Sequence, residues 1–147
     1  MIHFKAITHS DTDTLVSMME DFYAIDHYPI DKNISKELLK EFISNENLGK
    51  AWFILQNNQI AGYIVLTFIF SFEYQGRIAF LDELFISESF RGNGLGKKAI
   101  EFIKTQIPLL SLKIVYLEIE KHNEKAQKLY LAGDFKYHNR NLMIFKP

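Results

Sequence analysis

The segment Leu81-Asp82-Glu83-Leu84-Phe85-Ile86 is followed, after a short spacer, by Arg91-Gly92-Asn93-Gly94-Leu95-Gly96. The first six residues end a strand-like run, and apolar residues recur at helical spacing from about position 94 to position 106. The three glycines lack Cβ atoms, so a phosphate can approach the backbone closely. The first amides of the helix have no intrahelical partner and lie at the positive end of its macrodipole. This stretch predicts a strand, an anion-binding loop and a helix, with pyrophosphate as the ligand.

Basic residues beside the loop support this interpretation, whereas two other phosphate motifs do not fit. Arg91, Lys97 and Lys98 add positive charge around the glycines. A P-loop needs glycine where Arg91 stands and serine or threonine where Lys98 stands. The dinucleotide motif G-x-G-x-x-G needs glycine in place of Lys97. A glycine-rich turn that only leads into a helix is the alternative interpretation.

Periodicity and turn residues predict the remaining elements. Asn57-Asn58 suits a hairpin turn because Asn tolerates positive φ, and Gly62 marks a bulge. An antiparallel meander followed by strand–helix–strand–helix–strand predicts one domain over residues 1–147, of the mixed α/β (α+β) class. The predicted order is a strand at 2–8, a helix capped by Ser10 or Asp11 and ended by Pro29, a helix capped by Ser35, strands at 51–56, 59–70 and 78–86, a helix at 94–106 stopped by Pro108, a strand at 112–119, a helix at 126–133 and a strand at 142–145.

Composition excludes several function classes. The net charge is −1 and no run of Lys or Arg is present, so we expect neither a nucleic-acid nor a membrane partner. There is no Cys, which excludes disulfides and a Cys nucleophile, and the five His have no metal-ligand spacing, so we expect no metal. The start of the chain has no signal-peptide layout, and its most apolar stretch falls short of the roughly 20 residues of a membrane span. We expect a cytoplasmic protein.

The glycine loop and the strand before it resemble the GNAT N-acetyltransferases. Residues 91–96 look like the acetyl-CoA motif of that family, [Arg/Gln]-x-x-Gly-x-[Gly/Ala]. Residues 81–86 resemble its fourth strand, with the usual short spacer before the loop, and residues 60–63 resemble its third strand. Two separate strands and the loop therefore match in the expected order.

The resemblance continues beyond the loop. Residues 123–135 are similar to the Asn-x-x-Ala-x-x-Leu-Tyr…Gly-Phe segment of the family, and the departure is Asp134 between Gly133 and Phe135. The matches span residues 51–137, whereas residues 1–50 match only in the order of their elements. The resemblance implies a mixed, mostly antiparallel central sheet with helices on both faces.

The resemblance also implies how the co-substrate acetyl-CoA is held. Backbone amides of the loop bind the pyrophosphate, main-chain groups of the preceding strand pair with the pantetheine arm, and Asn123 hydrogen-bonds that arm. Tyr130 lies near the sulfur as general acid. The implied cofactor-binding residues are Leu84, Phe85, Ile86, Arg91, Gly92, Asn93, Gly94, Leu95, Gly96, Lys97, Asn123 and Tyr130.

The predicted catalytic residues are Tyr130, which the resemblance implies, and one of two carboxylates. Asp82 and Glu83 are adjacent on a strand, so we expect their side chains on opposite faces, one of them facing the acceptor as general base. The alternative is that both only pair with surface cations or attract the substrate. For Tyr130 the alternative is a structural role, because its spacing with Ala126 and Leu129 is that of a core stripe.

The acceptor is expected to be a small-molecule primary amine. Acidic and aromatic residues alternate in the segment 20–31, and in the family the corresponding helix pair walls the acceptor site. Carboxylates and aromatic rings both favour a cation. A solvated helix face is the alternative for any single residue. The predicted substrate-binding residues are Tyr23, Asp26, Tyr28 and Glu73.

Two other functions remain open from the sequence. One is a catalytically inactive, acyl-CoA-binding regulatory module. The other is a protein-lysine or N-terminal acetyltransferase, which needs an open, shallow acceptor groove rather than a closed pocket. A homodimer is also left open.

Overall fold

Four strands form an antiparallel meander, and a fifth extends it in parallel. The computed structural model describes residues 1–147 and orders the sheet β1-β2-β3-β4-β5. Only β5 pairs in parallel, through Ala79 and Phe80 of β4. The strands are β1 (Ile2–Ala6), β2 (Gly49–Gln56), β3 (Gln59–Ser71), β4 (Gly76–Ile86) and β5 (Val115–Tyr116). The predicted mixed, mostly antiparallel α/β class is confirmed.

Four helices cover the two faces of this sheet and enclose two separate cores. The core under α1 and α2 contains Leu15, Phe53 and Tyr63, and the core under α3 contains Trp52 and Ile64. No helix is long and apolar enough to cross a membrane. The helices are α1 (Thr12–Ile25), α2 (Lys32–Ser44), α3 (Leu95–Leu109) and α4 (Glu124–Ala132), with 3₁₀ turns at His9–Asp11 and Glu88–Phe90.

A β-bulge interrupts β4 two residues after its pairing with β5 ends at Phe80. Leu66 of β3 pairs with Leu81 and Val65 pairs with Glu83, so Asp82 is the extra residue. The alternation of side chains is reset there. Leu81 lies in the core under α3, whereas Phe85, also an odd-numbered residue, lies in the core under α1 and α2. The expectation that Asp82 and Glu83 point to opposite faces assumed a regular pleat, which the bulge removes.

The bulge predicted at Gly62 lies at the neighbouring residue. Ile54 of β2 pairs with Gly62 and Leu55 pairs with Ile60, so Ala61 is the unpaired residue. Gly62 itself is needed for another reason: a Cβ there would stand 2.1 Å from the carbonyl oxygen of Phe85. The glycine therefore lets β3 lie close to the part of β4 that forms the site.

Two predicted helix ends were wrong. α2 begins at Lys32 and not after Ser35, because the Asp31 carboxylate accepts hydrogen bonds from the Asn33 and Ile34 amides at 3.0 and 3.1 Å. Pro108 does not stop α3, which continues to Leu109. A proline this close to the end removes a single hydrogen bond of the helix, so the last turn tolerates it.

Two predicted strands also differ. β5 contains two residues rather than the predicted 112–119, because it diverges from β4 after Phe80. The predicted strand at 142–145 is absent, since no neighbouring strand lies beside that segment and its side chains are exposed. The turn at Asp134 has a left-handed φ of +73°, which Asp adopts more readily than most residues.

Candidate active site

The divergence of β4 and β5 leaves one edge of β4 open. The ladder between them ends at Phe80, so residues 81–86 have no strand on that side. The Ser87 amide donates to the Ala61 carbonyl on β3, and neighbouring residues of a strand alternate in the edge that they face. Phe85 therefore faces β3, while Leu84 and Ile86 direct their main-chain groups into the gap.

The glycine loop lies at the end of this gap. Gly92 and Gly94 have φ of +80° and +75°, a region that most residues avoid, and Gly94 is the N-cap of α3. Apart from the adjacent residues of the chain, no atom lies within 4 Å of the position that a Cβ would occupy at either residue. The loop thus presents open backbone in front of the free amides of α3, which is the arrangement that an anion requires.

Gly96 has a different role from the other two glycines. A Cβ there would stand 2.9 Å from a methyl group of Leu129 on α4. Leu95 is also turned inward, into the core under α3. The expectation that all three glycines admit a phosphate therefore holds for the space beside Gly92 and Gly94, while Gly96 allows the two helices to pack closely.

Polar side chains of the loop are oriented by main-chain carbonyls. Arg91 donates through Nε to the carbonyl of Ile86 at 2.9 Å, and Asn93 donates through Nδ2 to the carbonyl of Phe90 at 3.2 Å. Lys97 is exposed and forms no ion pair. Lys98 instead lies 3.7 Å from Glu101, so Arg91 and Lys97 are the cations of the loop that no carboxylate neutralises.

Glu83 lies on the other side of the gap, on the face covered by α1 and α2. Tyr63 donates to one of its carboxylate oxygens at 2.6 Å and Tyr23 of α1 donates to the other at 2.8 Å. Burial raises the pKa of Glu83, and the two tyrosine hydrogen bonds oppose that rise. The structure thus holds a half-buried carboxylate in a fixed position with a strengthened affinity for a proton.

Asp82 is electrostatically linked to this carboxylate. Burial raises the pKa of Asp82, and its charge contributes to the raised pKa values of Glu83, Tyr23 and Tyr63. The bulge therefore concentrates two carboxylates in one small region. Such an arrangement attracts a cation and favours proton uptake over proton release.

The loop between α1 and α2 closes one side of this region. Tyr28 donates a hydrogen bond to Glu120, and Asp26 contacts Nε2 of His122 at 3.1 Å. Both partners belong to the segment between β5 and α4. Of the predicted substrate-binding residues, Tyr23 contacts Glu83, whereas Asp26 and Tyr28 contact the segment between β5 and α4.

The fourth predicted substrate-binding residue lies apart. Glu73 belongs to the turn between β3 and β4 and forms a two-bond ion pair with Arg140 at 2.8 and 2.6 Å. The turn is at the opposite end of β4 from Glu83. Residues 77–82 of the strand separate Gly76 from Glu83, a distance of roughly 20 Å. Glu73 therefore does not join the carboxylates around Glu83.

Tyr130 lies on the face covered by α3, opposite to Glu83. Its ring packs against the core under α3 and contacts Phe135 at 5.6 Å, but its hydroxyl forms no hydrogen bond within the protein. Burial raises the pKa of Tyr130 to about 12. The hydroxyl is therefore an uncommitted donor that remains protonated at neutral pH.

Asn123 caps α4. Its Oδ1 accepts from the Ala126 amide at 3.1 Å, which leaves Nδ2 free to donate.

The sequence alone did not single out Tyr63, Glu120 or His122. Tyr63 had one available signal, because it directly follows Gly62, where the sequence predicts a bulge.

Comparison with known proteins identifies the family. Residues 15–133 match the acetyltransferase (GNAT) family. The chain belongs to this family of acyltransferases. The D-amino-acid N-acetyltransferase HPA3 of Saccharomyces cerevisiae is 30% identical over 59 residues, which cover 40% of this chain and 37% of that protein. The chain thus matches little more than a third of the length of that relative.

Solved structures share the fold over nearly the whole chain. The integron cassette protein HFX_CASS3, from the mobile metagenome of Cole Harbour Salt Marsh, has a TM-score of 0.87 and 26% identity, covering 97% of this chain and 89% of its own. A protein of Clostridium acetobutylicum described as a predicted acetyltransferase, solved with acetyl-CoA, has a TM-score of 0.82 and 16% identity, covering 99% and 96%.

The raised pKa of Glu83 predicts the stability of Glu83→Gln. A carboxyl group whose folded pKa exceeds its unfolded value makes the protein less stable as pH rises through that interval. We expect the melting temperature of the variant, relative to the native protein, to increase between about pH 4 and pH 7. Glu37→Gln, at an exposed position, should show no such trend. A relative melting temperature that falls with pH would contradict the raised pKa.

Proposed function

We propose that this protein transfers the acetyl group of acetyl-CoA to a primary amine of a small, positively charged molecule. The observation that carries the proposal is the gap beside β4, which has an open anion loop at its end, a carboxylate on one face and an uncommitted hydroxyl on the other. The acetyl-CoA complex of the Clostridium acetobutylicum protein supports acetyl-CoA as the acetyl donor. The D-amino-acid N-acetyltransferase supports an amine as acceptor.

The residues present fit acetyl-CoA. The empty space beside Gly92 and Gly94 suits a pyrophosphate, which the free amides of α3 and the side chains of Arg91 and Lys97 would hold. The open edge of β4 offers main-chain groups to the amides of pantetheine, as an added strand would receive them. Asn123 has a free Nδ2 for the same arm. Acetyl-CoA supplies an activated acyl group with a thiolate as its leaving group.

Glu83 is the proposed general base. An ammonium ion must lose a proton before its nitrogen can attack, and the raised pKa of Glu83 makes its carboxylate a better proton acceptor at neutral pH. Tyr23 and Tyr63 fix both carboxylate oxygens, so the base keeps its position. Asp82 adds a second negative charge that favours binding of the cation.

Main-chain amides and Tyr130 stabilise the negative charges that develop during the reaction. The amine nitrogen forms a bond to the acetyl carbon, negative charge grows on the carbonyl oxygen, and the carbon–sulfur bond breaks. An amide at the open edge of β4 stabilises the charge on oxygen. Tyr130, with a pKa of about 12, is a weaker acid than a thiol of about 8.5, so complete transfer is uphill by roughly 5 kcal/mol. Its contribution is a strong hydrogen bond to the departing sulfur.

The proposal predicts that Gly94→Val loses acetyl-CoA. The branched side chain would occupy the open space of the loop and displace charge-assisted hydrogen bonds of roughly 1.5–3 kcal/mol each. Isothermal titration should show one site in the native protein and at least about hundredfold weaker binding in the variant. Gly76→Val also places a branched side chain at a positive φ, +151°, but at a distant turn, and should bind normally. Native protein that binds no acetyl-CoA at millimolar concentration would refute the proposal.

Tyr130→Phe should lower kcat by at least about tenfold, or about 1.4 kcal/mol of barrier. The ring that the core needs is kept, so the melting temperature should hardly change. The KM for acetyl-CoA should also move little, because the missing hydrogen bond matters as charge develops on sulfur. Tyr74→Phe, at the distant turn, is the matched control. A variant with native kcat, measured where chemistry limits the rate, would leave Tyr130 with a packing role only.

The acidic region predicts the acceptor class. In a turnover screen of polyamines, aminoglycosides, amino acids and Lys-bearing peptides, acceptors with two or more positive charges should have the highest kcat/KM. That value should fall as salt rises, since ions screen partly exposed charge pairs. Asp82→Asn should lower it more for a diamine than for a monoamine. Preference for neutral or anionic acceptors would refute the charge argument, and binding without any turnover would indicate an inactive regulatory module.

A further inference from the structure

A cavity of about 310 Å³ lies at the corner of the sheet where β1 ends and β2 begins. The register leaves Gly49 and Lys50, at the start of β2, beyond the end of β1. The volume is at the lower end of the range for small-molecule sites, which is about 300–1,000 Å³. Arg77 in the wall lies at the opposite end of β4 from Glu83, so the cavity is separate from the candidate active site.

Apolar side chains from the ends of two helices and from the sheet form much of the wall. A Cβ at Gly49 would stand 2.7 Å from the Phe42 ring, so this glycine lets the end of α2 lie close to the sheet. Two aromatic rings are available to pack against an apolar group of a ligand. The larger apolar residues of the wall are Phe42, Ile43, Phe68 and Leu110.

Three charged side chains also line the cavity, and none of them forms an ion pair. They are Glu46 of the turn between α2 and β2, Lys50 of β2 and Arg77 of β4. The Arg77 guanidinium lies 4.6 Å from the centre of the Phe68 ring and donates to Oδ1 of Asn47 at 3.1 Å. These contacts hold the cation in place without neutralising its charge.

Charges of both signs around an apolar space match the chemistry of one class of small molecule. A guanidinium can bind a carboxylate through two parallel hydrogen bonds, and a carboxylate such as Glu46 can bind an ammonium group. A simple carboxylic acid or a simple amine would use only one of these two signs. An α-amino acid carries both charges on one carbon atom and leaves its side chain for the apolar wall.

We propose that this cavity binds a free α-amino acid with an apolar side chain. The carboxylate pairs with Arg77, the ammonium group pairs with Glu46, and the side chain packs against the Phe42 and Phe68 rings. The cavity shares no residue with the glycine loop or with the carboxylates around Glu83. This inference is therefore independent of the proposed acetyl transfer.

The first test is isothermal titration of the native protein with L-phenylalanine and two comparison ligands. L-Phenylalanine should bind at one site in this cavity, with a dissociation constant of about 1 mM or lower. Hydrocinnamate keeps the ring and the carboxylate but lacks the ammonium group, and L-aspartate lacks the apolar side chain. Each should bind at least about tenfold more weakly. No binding at about 10 mM L-phenylalanine, or equal affinity for hydrocinnamate, would overturn the proposal.

The second test locates the amino acid in the cavity. Arg77→Met keeps an aliphatic chain beside Phe68 and removes the charge, so it should weaken L-phenylalanine at least about tenfold. Lys113→Met is the matched control, because this exposed lysine lies beside Gly76 but does not line the cavity, and it should bind normally. Ala6→Phe fills the cavity from an exposed position, so it should abolish binding with little change in melting temperature.

The third test separates this site from the acceptor site. Glu83→Gln should bind L-phenylalanine as the native protein does, and Arg77→Met should bind acetyl-CoA as the native protein does. Loss of L-phenylalanine binding in Glu83→Gln, with binding retained in Arg77→Met and Ala6→Phe, would place the amino acid in the acceptor site. That result would overturn the inference and leave the proposed acetyl transfer intact.

Discussion

The extra residue at Asp82 is the constraint on which the site depends. It resets the alternation of side chains along β4. After the bulge, Glu83 and Phe85 therefore lie on the face covered by α1 and α2. Without the bulge, a regular pleat would place Glu83 on the face of α3, away from Tyr23 and Tyr63. The position of the proposed base is therefore determined by the register of the sheet and not by the local sequence.

The same region shows a conflict between stability and function. A half-buried carboxylate beside a second carboxylate is less favourable than a neutral side chain of the same shape. The two tyrosine hydrogen bonds offset part of this and hold the group in place. Gly62 contributes as well, since only a residue without Cβ lets β3 approach the carbonyl of Phe85. The residues packed around Glu83 thus hold in place a carboxylate that lowers the stability of the fold.

Local patterns in the sequence predicted the fold well wherever periodicity or turn chemistry determines an element. The glycine loop, α3 and the meander followed from such patterns. The candidate Tyr130 came from the resemblance to the family, and the sequence left Asp82 and Glu83 as alternative bases. Features that depend on pairing between distant residues could not be predicted in this way. The bulge at Asp82, the divergence of β5 and the separation of Glu73 from the carboxylates depend on register. The segment 142–145 has the composition of a strand, but composition does not supply a neighbouring strand.

The hydrogen bond from Arg91 to the carbonyl of Ile86 has a consequence for entropy. It uses Nε alone and leaves both terminal nitrogen atoms of the guanidinium without a partner in the protein. The rotational freedom of this long side chain is therefore already restricted before any anion arrives. A lysine would have to bind the carbonyl and the anion through one nitrogen atom, whereas arginine can use separate nitrogen atoms for the two. Preorganisation of this kind lowers the ordering cost of binding, so an anion gains more affinity from the same contacts.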